Sequence, residues 1–390
     1  MNEIEKLIKE LCPNGVEYKK LGEVCQFQRG TTITAKEAIE GDIPVLAGGQ
    51  KPAYYHNQAN RTGQTIVIAG SGAYAGFVSW WETPVFVSDA FTANPNESLF
   101  PKYVYYFLKN IQEKIHATKK GSGVPHVHGS SIAHFEIPVP PLVIQQKIVE
   151  VLDKFTELEA ELEAELEARR KQYEYYRNKL LEFTPPCKQN VSWRTLGEIG
   201  TMIRGNGIQK KDFTESGVGC IHYGQIYTRY GTCADKTISF ISEELARKCK
   251  KASYGDLIIA TTSENVEDVC KAVAWLGKEE IAISGDSYVF KHNQEPRYVA
   301  YLFQTEAFLN YKRKYATGTK VIRVSGENLL KFSFGFPPLP EQRRIADILD
   351  KFEALTTSLQ DGLPAEIEAR RQQYAHYREK LLSFKRKGAE

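Results

Sequence analysis

No window of about 18 uninterrupted apolar residues occurs in this 390-residue chain, so a membrane-spanning helix is not expected. Charge of one sign is lacking too: 51 Lys and Arg stand against 48 Asp and Glu. A net charge of +3 excludes a strongly basic nucleic-acid binder, and any phosphate contact must come from local placement. The seven cysteines form no Cys-x-x-Cys pair and are odd in number, which reads as ordinary thiols in a reducing cytoplasm with no zinc site. A Gly-x-x-x-x-Gly-Lys-Ser/Thr loop is missing, which excludes an ATP-driven motor, and so is Gly-x-Gly-x-x-Gly. "TPPC" (184–187) and "FPPL" (336–339) do not supply the Asn/Asp-Pro-Pro-aromatic motif of a methyltransferase. The glycines at 70, 72 and 76 read as turns, not as a phosphate cradle. His126 and His128 alternate in "PHVHG" without a neighbouring cysteine or acid in the sequence, so no metal site is expected. No residue is assigned a catalytic role.

What the chain does have is an internal repeat. "VEYKKLGEVCQFQRG" (16–30) matches "VSWRTLGEIGTMIRG" (191–205), and "PKYVYYFLKN" (101–110) matches "PRYVAYLFQT" (296–305). "GSGVPHVHGSSIAHFEI" (121–137) matches "GTKVIRVSGENLLKFSF" (318–334). The helical cassettes repeat as well: "PPLVIQQKIVEVLDKF" (140–155) with "PPLPEQRRIADILDKF" (337–352), and "EARRKQYEYYRNKLLEF" (167–183) with "EARRQQYAHYREKLLSF" (368–384). Over residues 41–100 and 217–295, by contrast, similarity nearly vanishes. A shared frame with divergent contents predicts two modules doing one kind of job on different targets.

Each module reads as sheet-centred and mixed α/β. "DIPVLAGG", "TIVIAG" and "PVFVSDAFTA" are β-rich runs in the first; "GCIHYGQIYT", "DLIIATT" and "EIAISGDSYVF" take that part in the second. One helix is expected after them, carrying Val104, Phe107, Leu108 and Ile111, or Val299, Leu302 and Phe303. At the start of the chain, Ile4, Leu7, Ile8 and Leu11 predict an amphipathic surface helix and not a signal peptide. Beyond Pro140-Pro141, apolar residues at spacings of three and four predict a helix of some 40 residues, about 60 Å at 1.5 Å per residue. Phe155, Leu158, Leu162, Leu166, Tyr173 and Tyr176 form its seam. Phe352, Tyr374 and Tyr377 occupy the matching positions of the second cassette, so an intramolecular antiparallel pair covers both. The second cassette is four residues longer between "LDKF" and "EARR", and its Asp361-Gly362-Leu363-Pro364 predicts a break.

The doubled proline–glutamine–"LDKF" signature and the doubled "EARR-x-Q-Y" cassette, over essentially the whole chain, closely resemble the specificity (S) subunit of type I restriction-modification systems. The resemblance implies an α+β fold: two mixed α/β target recognition domains separated by a pair of long antiparallel helices, in a pseudo-two-fold repeat. The boundaries that follow are 1–141 for the first recognition domain, 142–185 for the central spacer, 186–337 for the second recognition domain and 338–390 for the distal helical region. It further implies double-stranded DNA as partner, each domain reading one half of a bipartite, asymmetric target. Two modification (M) subunits dock on the helices, where the seam residues named above serve either the helix pair or this docking, restriction (R) subunits join, and S-adenosylmethionine belongs to the modification subunits. No cofactor is bound by this chain itself. In that family, four-residue repeats such as "LEAELEAELEAR" (158–169) alter the spacer length; the unequal second cassette departs from the pattern. The rival reading is a coiled-coil scaffold joining two protein-binding modules.

Phosphates take Lys, Arg and backbone amides; base edges take Arg, Lys, Asn, Gln, Ser, Thr and His. Four loops per module offer these. The first carries Arg29, Thr31 and Thr32, matched by Arg204, Asn206, Gln209, Lys210 and Lys211. Gln50 and Lys51 lie in the second, with Tyr223 and Gln225 as counterparts, and Ser71 and Tyr74 in the third, opposite Thr262, Ser263 and Asn265. The fourth holds Lys119, Lys120, Ser122, His126 and His128, matched by Thr319, Lys320 and Arg323.

Overall fold

A computed structural model describes residues 2–121, 123–183, 191–357 and 362–388. Two compact units divide the chain: residues 1–164 with 365–390, and residues 165–364. Each combines one globular module with stretches of both helical cassettes, so the units cut across the four sequence segments.

In the first unit the run "TIVIA" is the inner strand Thr65–Ala69, buried at every position, as a continuous apolar run bounded by turn residues requires. It pairs antiparallel with Val78–Trp81 on one side and Ala90–Pro95 on the other, and Cys25–Arg29 completes the sheet. A second small sheet runs Tyr54–His56, Ile43–Leu46, Phe86–Val87, the last pair parallel.

In the second unit "LIIA" is the equivalent inner strand, Leu257–Ala260, again wholly buried. The sheet order is Gly200–Arg204, Ser287–His292, Leu257–Ala260, Ala272–Trp275, with Cys233–Ala234 added at the edge. Its small sheet keeps the parallel pairing of Val218–Ile221 with Ile281–Ile283. The segments without recognisable sequence similarity therefore share strand order. Two expectations are corrected. "YGQIYT" is a helix, Tyr223–Thr228, because His222 caps it through Nδ1 to the Gly224 amide (3.2 Å). Two helices, not one, follow each sheet: Pro101–Asn110 with Gln112–Ala117, and Pro296–Leu302 with Glu306–Tyr315.

The repeated residues make the same clamp in both units. Gln145 is buried; its Oε1 accepts from the Phe100 amide (2.7 Å) and its Nε2 donates to the carbonyls of Pro140 (2.7 Å) and Ser98 (3.0 Å). Gln342 repeats this with the Glu295 amide (3.1 Å), the Pro337 carbonyl (2.8 Å) and the Gln294 side chain (2.8 Å). Tyr103 donates to the Pro138 carbonyl and Tyr298 to that of Gly335. Tyr106 donates to Asp153 and Tyr301 to Asp350, the aspartates of the two "LDKF" motifs. Lys102 and Arg297 add ion pairs to the same carboxylates at 3.0 and 2.6 Å. The signature thus exists to lock each module onto the helix that follows it.

That first helix, Leu142–Leu181, runs unbroken for 40 residues. In the first unit its N-terminal part pairs antiparallel with the closing helix Leu363–Leu382. Phe155 stacks on Tyr377 (5.5 Å) and meets Tyr374 (6.1 Å), while Arg371 reaches Glu159 (2.6 Å) and Glu163. In the second unit Tyr176 stacks on Phe352 of the helix Leu339–Thr357 (5.8 Å), and Tyr173 is buried. Leu158, expected in the seam, is instead 45% exposed, and Leu162 and Leu166 are half-buried. Residues four apart advance by about 400°, so each tetrad turns the leucine row by about 40°, and exposure falls from Leu158 to Leu162 and Leu166 as the row turns towards the face of Phe155 and Tyr173. The second cassette forms two helices, the first ending at Thr357 and the next starting at Leu363, with the expected break point Asp361 outside the described residues.

The N-terminal helix is amphipathic, as expected, with Leu7 and Ile8 packed against the core. Ile4 of the helix Asn2–Leu11 belongs to the core, while Leu11 is exposed. Val16 pairs with the chain's last residues, its amide donating to the Lys385 carbonyl (2.8 Å) and its carbonyl accepting from the Lys387 amide (3.0 Å). Among the described residues, no helix is long and apolar enough to cross a membrane.

Candidate nucleic-acid interface

Strand ends and turns of the first unit line one concavity of about 270 Å³ with residues of the first and fourth predicted loops. Arg29, at the end of its strand, lines it with His126 and His128, whose rings stack in parallel 6.1 Å apart. Ser71 forms a β-bridge with His126, bringing the third loop to the fourth. Gly48 brings in the second: a Cβ on it would stand 2.3 Å from the Ser71 carbonyl oxygen, so only glycine permits this approach. Thr31, Thr32, Gln50, Lys51 and Tyr74 are exposed on these loops. Lys119 is engaged internally, donating to the Ala73 carbonyl at 2.9 Å. Ser122 lies outside the described residues.

Sequence reasoning missed Asp89, which lines the same concavity and accepts from the Ser71 hydroxyl. Asp89 thus shares this concavity with the two histidines. Among the described residues, no group of three or more His, Cys, Asp and Glu side chains could hold a metal ion. Asp89 was detectable in principle: "SDAF" and "GDSY" place Asp89 and Asp286 just before equivalent strands.

In the second unit a cleft of about 420 Å³ is lined by Tyr223, Thr262, Ser263, Asn265 and Val321, so the second, third and fourth loops meet there also. Several predicted contacts turn out to hold the loops themselves. Asn206 donates to the Lys248 carbonyl (2.8 Å) and accepts from the Lys250 amide (2.7 Å). Gln225 bridges the His222 amide and the Ser239 hydroxyl. Asn265 exchanges two 2.7 Å hydrogen bonds with Asp268. Thr262 is buried, and its carbonyl accepts from Tyr227 (2.8 Å). Arg204 donates to the Gly285 carbonyl (3.1 Å) and stands 3.9 Å from Asp286. Gln209, Lys210, Lys211, Thr319, Lys320 and Arg323 are exposed. Burial holds the His222 imidazole below its usual range, with the Lys210 ammonium acting in the same direction.

Each module thus carries one polar, glycine-bent loop cluster, built on an equivalent frame. The chain matches the type I restriction modification DNA specificity domain twice, over residues 13–168 and 189–369. It belongs to that family. It is 30% identical to the EcoR124I/EcoR124II type I restriction enzyme specificity subunit of Escherichia coli, covering 98% of each chain. A putative type I restriction enzyme specificity subunit of Haemophilus influenzae is also 30% identical, again over 98% of each. Among solved structures, a type I restriction-modification S subunit from M. genitalium matches with a TM-score of 0.58 at 18% identity, over 94% of this chain and 96% of that one. A chain from a study of complex assembly and conformational transition in the type I system matches with a TM-score of 0.60 at 16% identity, over 95% and 98%. At such identities the structural likeness concerns the fold.

Proposed function

We propose that this chain is the non-catalytic, DNA-reading subunit of a type I restriction-modification complex. Each module reads one half of a bipartite, asymmetric duplex target. One observation supports this above the others: the two units share strand order and the Gln–Tyr–Asp clamp, yet present different side chains on equivalent loops. A scaffold with one partner type has no need of that combination. The exposed Arg29, Lys51, Lys120, Lys210, Lys211 and Lys320 supply phosphate contacts, while the histidines and Arg323 face base edges. The helices dock two modification subunits, which carry S-adenosylmethionine and the methyl transfer, and restriction subunits join that assembly. Spacer length follows from the unbroken 40-residue helix.

A mobility-shift titration of the chain reconstituted with its modification subunits tests this. Affinity should fall steeply with salt and discriminate specific from scrambled duplex by at least about 10³-fold. Equal affinity for all sequences, or none for DNA, would leave the scaffold reading standing.

A further inference from the structure

His126 and Arg323 occupy the same place in two copies of one small frame. In the first unit, His126 exchanges backbone hydrogen bonds with Lys120 (3.0 and 2.8 Å) and bridges Ser71 on its other edge. In the second, Arg323 exchanges them with Thr317 (2.8 and 2.9 Å) and pairs with Thr262 across a two-stranded ribbon. A glycine in the left-handed region bends each frame, Gly121 at φ 111° and Gly318 at φ 105°. With the backbone held on both edges, the side chain is the free variable.

The surrounding polar groups divide by symmetry. Arg29 and Arg204 end equivalent strands, and Asp89 and Asp286 stand before equivalent strands. A pair present in both modules cannot make them read different sequences. Among the positions that differ, Ser325 (opposite His128) caps a helix through the Asn328 amide, and Thr262 (opposite Ser71) is buried. Arg323 is exposed, and among the described residues its guanidinium has neither an ion pair nor a side-chain hydrogen bond. A guanidinium fork on a fixed backbone matches the O6 and N7 acceptors of guanine in the major groove.

We infer that Arg323 is a specificity-determining residue of the second module and reads a guanine in its half-site, and that His126 holds the corresponding position in the first. This deepens the DNA-reading role proposed above and rests on it.

The experiment is methylome sequencing of cells expressing the full chain with its modification subunits, as wild type and as Arg323→Gln, Arg323→Lys and His126→Arg. With Arg323→Gln, preference for guanine at one position of one half-site should fall roughly 5- to 150-fold, the other half-site being unchanged. His126→Arg should change one position of the opposite half-site only. Arg323→Lys keeps the charge but loses the fork, and should weaken the same preference. A uniform loss of methylation with the motif intact would make Arg323 a phosphate contact and overturn the inference, as would an unchanged motif at an unchanged rate. Full guanine preference in Arg323→Lys would overturn the bidentate geometry. A wild-type complex with no sequence motif would instead refute the DNA-reading role itself, so the two failures are distinguishable. Arg323 is exposed, and an unchanged unfolding midpoint in each variant confirms that folding is not the cause.

Discussion

Replacing Gln342 by Leu should destabilise the second unit well beyond an average substitution. The side chain is 1% exposed, and leucine fits its volume without its polar atoms. The Glu295 amide would lose its acceptor and the Pro337 carbonyl its donor, whereas the half-exposed Gln294 amide can turn to water. An orphaned buried backbone group costs about 1–3 kcal/mol, so two cost about 2–6 kcal/mol. For a unit of this size, 1 kcal/mol corresponds to roughly 2–4 °C in Tm, which gives a fall of roughly 5–20 °C. Gln145→Leu should do the same to the first unit. Differential scanning calorimetry of wild type and both variants measures this. A shift below about 1 °C in both would refute the claim that the repeated glutamine locks module to helix.

His292 should make the chain acid-sensitive. Burial depresses its pKa to about 4, so the folded state resists the proton that the unfolded chain accepts near 6.5. The stability contributed is complete above pH 6.5 and is lost as pH falls towards 4, by about 3 kcal/mol; His292→Phe should flatten that part of a pH–stability curve measured by urea titration. Arg371→Ala should cost under about 1 kcal/mol despite its two close carboxylates, because all three groups are solvent-accessible; a loss above about 2 kcal/mol in the same titration would contradict this. Deleting Leu162–Glu165 shortens the long helix by about 6 Å. At 3.4 Å per base step, the unspecified spacer should shrink by one or two base pairs with both half-sites intact, and methylome sequencing would expose an unchanged spacing.

The repeat made much of this architecture legible. Matched anchors gave two modules, and three-four spacing gave the helices, because period and punctuation are local properties. The inner strands were readable as uninterrupted apolar runs. The Gln–Tyr–Asp clamp was present in the matched motifs, but its purpose needs contacts between residues about 45 apart in sequence. The shared strand order of residues 41–100 and 217–295 was invisible, since a sheet tolerates any side chains of the right polarity. Leu158 fell outside the seam because it stands about 60° around the helix from Phe155, which apolar spacing alone does not reveal. At the loops, residue type located the polar clusters but could not separate Arg323, left uncommitted, from Asn206, Gln225 and Asn265, which hold their own loops in place. Asp89 went unseen because its match with Asp286, carried by "SDAF" and "GDSY", lies in the segments where sequence similarity nearly vanishes.

The central claim is that two unlike readers are carried on one chain, and exchanging one of them tests it most directly. Residues 1–141 would be replaced by the corresponding segment of another family member, and the methylomes of cells expressing either chain with the modification subunits compared. The account predicts a bipartite motif in which one half-site is replaced while the other half-site and the spacer are retained. A motif that changes in both halves, or in neither, would contradict it.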